Sequence, residues 1–285
     1  MASLKDLRRR IRATKNMQQL FKAMEMVAAA KLRRAQSRAQ ASAPYAQKIT
    51  EMLANLAGAA ADLEHPLFKA RDVKTTAILV IAADRGFAGA YNANVIRVAE
   101  QRVRTAPPGA VQLVLLGRKA RDYVRRRGYP VLAQHTELPG EASLDFARQL
   151  TAELTELFVS GRVDRVEIVY SHFKSALVRQ VRTEVFLPVG AGETQKAAPD
   201  RGTIFEPDAE SLFADLLSRY ATAKLYAAMA DALASEQSAR MIAMGSARKN
   251  AGELVDALTL TRNRLRQAAI TKEIAELVGG AEALK

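Results

Sequence analysis

Apolar residues recur every three or four positions over two long stretches, one at each end of the chain. The C-terminal stretch covers residues 208–285 and contains no proline. Its apolar positions are Leu212, Leu216, Ala223, Tyr226, Ala230, Leu233, Ala251, Leu254, Leu258, Leu265 and Ala268. Alternating steps of three and four predict an α-helix with a coiled-coil seam. At about 1.5 Å per residue, one continuous helix would be roughly 115 Å long, so it needs a partner along its apolar face.

The N-terminal stretch, residues 3–56, shows the same spacing and contains one proline, Pro44. Its apolar face comprises Leu4, Leu7, Ile11, Thr14, Phe21, Met24, Ala28 and Leu32. Ser3 followed by Asp6 predicts an N-cap with a capping-box-like arrangement. Two long helices at opposite ends of one chain predict an antiparallel coiled coil.

Between these stretches, short apolar runs alternate with helical segments. The predicted strands cover residues 75–83, 111–116, 131–133, 166–170 and 178–187, and the last alternates as an edge strand with one wet face does. The predicted helices cover residues 91–105, 118–127 and 141–160. This order predicts an α/β domain with a mostly parallel sheet and an antiparallel edge strand.

The chain is therefore expected to have three parts. Residues 1–57 form an N-terminal coiled-coil helix, and residues 208–285 form a C-terminal one. The central α/β domain, with a linker rich in Gly, Ala, Thr and Pro, covers residues 58–207.

Composition excludes several classes of site. The chain has 285 residues and no cysteine, which excludes disulfides, thiol nucleophiles and thiolate metal ligands. No apolar run reaches about 18 residues, so no membrane-spanning helix is predicted. The N-terminus lacks an apolar signal core, and the basic helix there is longer than a presequence, so we expect mature protein.

The net charge of +13 is concentrated at the N-terminus, where residues 1–40 hold 11 Lys or Arg against Asp6 and Glu25. A basic helix of this kind suggests nucleic acid, anionic lipid or an acidic protein surface as partner, and a solvated helix face is the simpler interpretation.

Two glycine-containing turns are candidate anion sites, because backbone amides at a helix start can hold phosphate. In residues 84–94 (DRGFAGAYNAN), Gly86 and Gly89 do not fit G-x-G-x-x-G and no P-loop lysine follows, so we interpret this segment as a structural turn. Gly117-Arg118-Lys119 is either an anion site or an exposed helix start. The histidines, His65, His135 and His172, lack metal-ligand spacing. We expect no catalytic residue, no cofactor and no metal.

Two segments closely resemble the gamma subunits of F-type ATP synthases. They are KAMEMVAAAKLRRAQ at residues 22–36 and ITKEIAELVGGAEA at residues 270–283. Residues 83–92 (ADRGFAGAYN) and residues 235–274 are similar to that family's first turn and C-terminal helix. The resemblance covers the whole chain in order, and the absent cysteine insert and presequence favour a bacterial member.

The resemblance implies a non-catalytic subunit that serves as the central rotor shaft of a proton-translocating ATP synthase. It couples ion flow through a membrane ring to ATP synthesis or hydrolysis on the beta subunits. The implied partners are three alpha and three beta subunits, the epsilon subunit and the ring of c subunits. The implied location is peripheral, at the cytoplasmic face of the bacterial plasma membrane. Contacts with beta subunits are implied for Arg8, Arg9, Lys22, Met24, Arg33, Arg34, Arg266 and Gln267.

Two features of the long helices need a packing explanation. Gly245 and Gly252 each disfavour a helix interior by roughly 1 kcal/mol relative to alanine, and we interpret them as points of close helix approach. The methionines on these helices are interpreted as gap fillers in the seam, or else as a flexible contact surface. They are Met17, Met24, Met26, Met229, Met241 and Met244.

The main alternative is a basic coiled-coil protein that binds nucleic acid or serves as a scaffold. Against nucleic-acid binding, the sequence shows no aromatic stacking platform and no recognisable binding module. A nucleotide-dependent α/β enzyme would need a phosphate loop that the sequence does not supply.

Overall fold

The computed structural model describes residues 3–59, 65–68, 71–189 and 209–282. Within these ranges the chain forms five helices and five strands. The helices are α1 (Leu4–Ala59), α2 (Tyr91–Thr105), α3 (Arg118–Arg125), α4 (Leu144–Val159) and α5 (Ala209–Glu282). The strands are β1 (Thr76–Ile81), β2 (Val111–Leu116), β3 (Val131–His135), β4 (Arg165–Phe173) and β5 (Arg179–Leu187).

The predicted fold class is confirmed, since both long helices and all five predicted strands are present. Helix α1 continues through Pro44, which lacks the N–H of a normal helical hydrogen bond. The predicted linker at residues 190–207 lies outside the described residues. The division of the chain at residues 57 and 207 stays a prediction.

The five strands form one sheet in the order β3-β2-β1-β4-β5. Strand β1 pairs in parallel with β2 and with β4, and β2 pairs in parallel with β3. Strand β5 pairs antiparallel with β4 at one edge. This is the predicted mixed sheet, with its antiparallel strand at the predicted edge.

Helices cover both faces of this sheet because alternate residues of its central strands are apolar on both sides. Ile78 and Val80 of β1 lie in a cluster with apolar residues of α2 and α3. Ala77 and Leu79 lie in the opposite cluster, with residues of α1, α4 and α5. The sheet therefore has the two terminal helices in its larger core.

The chain divides into two compact units. The first combines Met1–Ala28 with Met241–Lys285, and the second is Ala29–Arg240. The sheet and both of its cores belong to the second unit. In the described part of the chain, none of the helices combines the length and the hydropathy that crossing a membrane requires.

The first unit is an antiparallel pair of helix segments. The predicted N-cap of α1 is confirmed, because the Ser3 hydroxyl accepts the Asp6 N–H at 3.1 Å and donates to the Asp6 carboxylate at 2.9 Å. Arg248 Nε donates to Glu25 Oε2 at 2.9 Å across the pair. The buried seam comprises Leu7, Ile11, Thr14, Ala28, Met244, Ala251 and Val255.

Two predicted seam positions of α5 are wrong. Leu254 is 50% exposed and Val255, its neighbour, is 7% exposed. Successive helical residues differ by about 100° in direction, so a shift of one position moves a side chain from the seam to the surface. Ala268 is also exposed.

The two helix glycines lie where α1 side chains cross α5, as predicted. A Cβ atom on Gly252 would be 2.9 Å from Gln18 Nε2, and one on Gly245 would be 3.1 Å from Glu25 Oε1. The two positions differ in how firmly the facing group is held. Glu25 is fixed by its ion pair with Arg248, whereas the Gln18 amide is the end of a flexible side chain.

We predict that Val255→Asp destabilises the helix pair by more than about 2 kcal/mol, because it places a charge at a buried seam position. Leu254→Asp, the adjacent exposed position, serves as the control and should change stability by about 0.5 kcal/mol or less. Thermal unfolding followed by far-ultraviolet circular dichroism measures both. Equal losses in the two variants would contradict the seam described here.

We predict that Gly252→Ala stabilises the chain by up to about 1 kcal/mol, because alanine favours the helix and the Gln18 amide can move aside. Gly245→Ala should gain less, because its methyl group would press against the ion-paired Glu25 carboxylate. The same unfolding measurement compares the two variants. A larger gain at Gly245 would show that the ion pair does not hold Glu25 in place.

Candidate functional site

The turn after β1 is held by side chains of its own chain. The Asp84 carboxylate accepts the backbone N–H of Arg118 at 2.9 Å and that of Leu138 at 2.7 Å. The Asn92 side-chain oxygen accepts the N–H of Ala83 at 2.9 Å. Asp84 thus joins three connections at the carboxyl ends of the parallel strands, which agrees with the predicted structural turn.

The corner at Gly117 is closed in the same way. Gly117 has φ +91°, and a Cβ atom there would lie 2.4 Å from the Ala82 carbonyl oxygen. The N–H of Lys119 donates to the Ala83 carbonyl at 3.1 Å, and that of Arg118 is taken by Asp84. These first amides of α3 are therefore bonded within the chain, and the anion-site interpretation of this corner is not supported.

The crevice at the carboxyl ends of β1 and β4 is the usual ligand site of a doubly wound sheet, because the strand order reverses there. In the second unit, helix α5 lies against this edge. The Ser235 hydroxyl donates to the Ser171 carbonyl at 2.8 Å, and the Arg240 guanidinium donates to the Gly86 carbonyl at 3.3 Å. Two backbone carbonyls beside this crevice, those of Ser171 and Gly86, are thus bonded to α5.

Two carboxylates of α5 take part in this contact. Asp231 is hydrogen-bonded to His172 Nδ1, and Glu236 accepts from Arg240 Nη2 at 2.6 Å. Burial raises the pKa of Asp231, and the bond with His172 opposes that rise. Burial also raises the pKa of Glu236, against the opposing charge of Arg240. The Asp231–His172 pair joins α5 to β4, and the Glu236–Arg240 pair lies within α5.

The two remaining histidines each lie beside a polar group of the same chain. His135 Nε2 lies 2.9 Å from a carboxylate oxygen of Glu153, and His65 Nδ1 accepts the N–H of Leu67 at 3.2 Å. Within residues 3–59, 65–68, 71–189 and 209–282, no three or more His, Asp or Glu side chains are grouped as metal ligands would be.

The residues predicted to contact beta subunits lie on α1 and α5, and most are exposed. In the first unit these exposed residues are Arg8, Arg9, Lys22, Arg266 and Gln267, while Met24 is half-buried. In the second unit Arg33 and Arg34 are both exposed, and Arg34 shares the Glu141 carboxylate with Arg38. The contact role of all eight stays a prediction.

Sequence reasoning missed an apolar row on the surface of α1. Met17, Leu20 and Val27 are 46%, 56% and 57% exposed, and they follow the helical repeat through Met24. Met26 is exposed as well, whereas Met244 is buried in the seam. The gap-filling interpretation thus holds for Met244 and is wrong for Met17 and Met26. The sequence alone shows two apolar rows on α1 but not which one is buried.

A second exposed row lies at the end of α5. Gln18 faces Gly252, and Leu4 lies as far before Gln18 as Arg266 lies after Gly252. The antiparallel pairing therefore runs out near Arg266, and residues 266–279 are all exposed. Ile270, Ile274 and Leu277 form an apolar row in this part of the helix.

Solved structures with a similar fold include chains of two mitochondrial ATP synthases. One is from the Euglena gracilis OSCP/F1/c-ring assembly in rotational state 3, with a TM-score of 0.72 and 19% identity over 99% of this chain and 94% of that chain. Another is from the Tetrahymena thermophila central stalk and c-ring, with a TM-score of 0.63 and 23% identity over 80% of this chain and 99% of that chain. At these identities the likeness shows a shared fold.

Sequence relatives extend the likeness beyond the fold. The family model described as ATP synthase matches residues 3–284. The ATP synthase gamma chain of Desulforamulus reducens is 46% identical and that of Heliobacterium modesticaldum 44% identical, each over 100% of both chains. These full-length matches show that the chain belongs to the family of ATP synthase gamma chains.

Proposed function

We propose that this chain is the central rotor shaft of an F-type ATP synthase. In this proposal it turns within three alpha and three beta subunits and couples ion flow through a membrane ring of c subunits to catalysis on the beta subunits. The observation that carries the proposal is the exposed apolar row Ile270, Ile274 and Leu277, which lies where α5 extends beyond its pairing with α1. Burying each such side chain is worth about 1.5–3 kcal/mol, so this helix end favours a surrounding protein.

The coupling follows from contacts that differ between rotary positions. A partner shifts an equilibrium between two states only if it binds them unequally. The described surface of the first unit is asymmetric: Met17, Leu20 and Val27 form an apolar row, and Arg8 and Arg9 add exposed positive charge. One such chain within a threefold ring presents a different face to each beta subunit, so three identical subunits occupy different states.

Basic side chains favour acidic loops of the beta subunits as their contacts, because opposite charges attract over about a Debye length. Arg33 and Arg34 are unequal candidates. Arg34 Nη1 lies 3.8 Å from Glu141 Oε1, so an acidic partner would compete with an internal carboxylate. Arg33 has no ion pair within the described part of the chain, and we expect it to make the stronger contact.

The remaining assignments complete the proposal. The epsilon subunit and the c ring are further partners, and the membrane association of this chain is through the complex alone, at the cytoplasmic face of a bacterial plasma membrane. Nucleotide chemistry takes place on the beta subunits, and this chain contributes no catalytic residue. The closed turns at Asp84 and Gly117 support that assignment.

Reconstitution with the alpha and beta subunits of the same organism tests the function. We expect one copy of this chain to co-elute with three copies of each partner, and ATP hydrolysis to depend on all three proteins. Failure to associate, or hydrolysis by this chain alone, would refute the proposal. Salt-dependent binding to DNA in place of assembly would favour the nucleic-acid alternative.

We predict that the double variant Arg266→Ala with Gln267→Ala slows ATP hydrolysis by the reconstituted complex. The expected loss is about fivefold for each hydrogen bond with a beta subunit that one rotary state loses. Lys272→Ala serves as the control, because Lys272 is also exposed but points about 120° away from Arg266 and about 140° away from Gln267 around the helix. Steady-state ATP turnover, with co-elution to verify assembly, compares the variants. An equal effect in the control would show a loss of charge rather than of specific contacts.

A further inference from the structure

We infer that residues 224–240 of α5 form a mechanical joint with the α/β sheet, and that Ser235, Ser238 and Arg240 are the positioning residues that hold it. The joint transmits load between the helix and the sheet domain. This inference rests on the proposed function, because it concerns how the rotor carries torque through its own fold.

Apolar packing alone does little to prevent α5 from rotating or sliding against the sheet. Within residues 224–240, the buried α5 residues that share an apolar cluster with the sheet domain are three alanines, Ala228, Ala232 and Ala239, and one larger side chain, Leu225. Hydrophobic attraction is non-directional, and methyl groups form a helix surface of low relief. Such a face resists separation from the sheet better than it resists rotation about the helix axis or sliding along it.

Hydrogen bonds from Ser235 and Ser238 fix the rotation and the register of α5 against the sheet, which apolar packing does not. The Ser235 hydroxyl donates to the Ser171 carbonyl of β4 at 2.8 Å. The Ser238 hydroxyl lies 2.5 Å from the Ala176 carbonyl and accepts from Arg179 Nη1 at 2.9 Å. Both serines are fully buried. These two residues, one turn apart, bind α5 to β4 and to the connection between β4 and β5.

Two cations extend the contact to other strands. Lys224 Nζ donates to the Val185 carbonyl of β5 at 3.0 Å. The Arg240 guanidinium donates to the Gly86 carbonyl, in the turn after β1, and is oriented by Glu236 one turn earlier. Because the acceptors lie on β5, on β4 and after β1, a rotation of α5 about its axis strains bonds along its length.

The choice of polar residues fits positioning better than stability. A buried hydroxyl or charge costs free energy unless it is bonded, and apolar replacements of similar size are often as stable. Serine is also a poorer helix former than alanine. Hydrogen bonds to fixed carbonyls do supply a single register, which alanine packing does not.

The position of the joint suits load transfer. Helix α5 contributes Arg240 and earlier residues to the second unit, and it continues without a break into residues 241–282 of the first. A torque applied to the first unit by beta subunits would travel along this helix. Within the second unit, Arg240, Ser238 and Ser235 are the described bonds from α5 to the sheet domain that lie nearest along the helix to residue 241. Helix α1 also enters the second unit, so loss of the joint should weaken coupling without abolishing it.

The test uses a double variant that carries both Ser235→Ala and Ser238→Ala. It is compared with wild type in the complete complex, reconstituted into lipid vesicles. Thr222→Val is the matched control, because the Thr222 hydroxyl donates at 3.0 Å to Ser218 within the same helix and not to the sheet. Three quantities are measured: ATP hydrolysis, ions pumped per ATP against an imposed gradient, and hydrogen exchange over residues 171–176 and 235–240.

We expect the double variant to assemble and hydrolyse ATP, to exchange about fivefold faster for each bond lost, and to pump fewer ions per ATP. The control should match wild type in all three. Faster exchange with unchanged ions per ATP would overturn the inference, as would unchanged exchange. If the double variant does not assemble, Arg240→Lys, which keeps a cation near Glu236 but loses the fork to Gly86, is measured by the same criteria. A wild-type chain that fails to assemble would instead refute the proposed function.

Discussion

The sheet of the second unit has a face that its own crossover helix cannot cover, and this constraint organises the molecule. Helix α4 buries part of that face, and the rest is covered by Ile49 and Leu53 of α1 and by Phe213 and Leu217 of α5. The core is therefore complete only when the second-unit segments of α1 and α5 meet on the sheet. Hydrophobic burial is roughly proportional to the area covered, so the same core that stabilises the sheet also pairs the two long helices.

That arrangement changes what the α/β fold is used for. At the strand-order reversal, where doubly wound domains bind ligands, three polar groups of this chain are bonded within the chain. Ser171 and Gly86 accept hydrogen bonds from α5, and Asp84 closes the turn after β1. A fold known for binding nucleotides is here bonded to a helix, which supports the proposed role as a rotor shaft.

Some charged groups of the surface are paired within the chain, whereas two apolar rows on the surface are not covered by the described part of the chain. Glu25 with Arg248 and Arg38 with Glu141 are internal pairs. The apolar rows at Met17 to Val27 and at Ile270 to Leu277 have no such cover among the described residues. Exposed apolar rows beside basic side chains on a helix are typical of a surface that another protein covers.

The sequence by itself determined the elements, the fold class and the family, because strand and helix periods and turn residues are local properties. It also located the N-cap at Ser3 and the close helix approach at Gly245 and Gly252. Only the tertiary structure decided that Val255, not Leu254, lies in the seam, and that Met17 is exposed while Met244 is buried. It alone showed that Ser235 and Ser238 bond to the sheet. A helical repeat defines faces but not which one a partner covers, and a serine among alanines shows its role only when its acceptor, some 60 residues away along the chain, is in place.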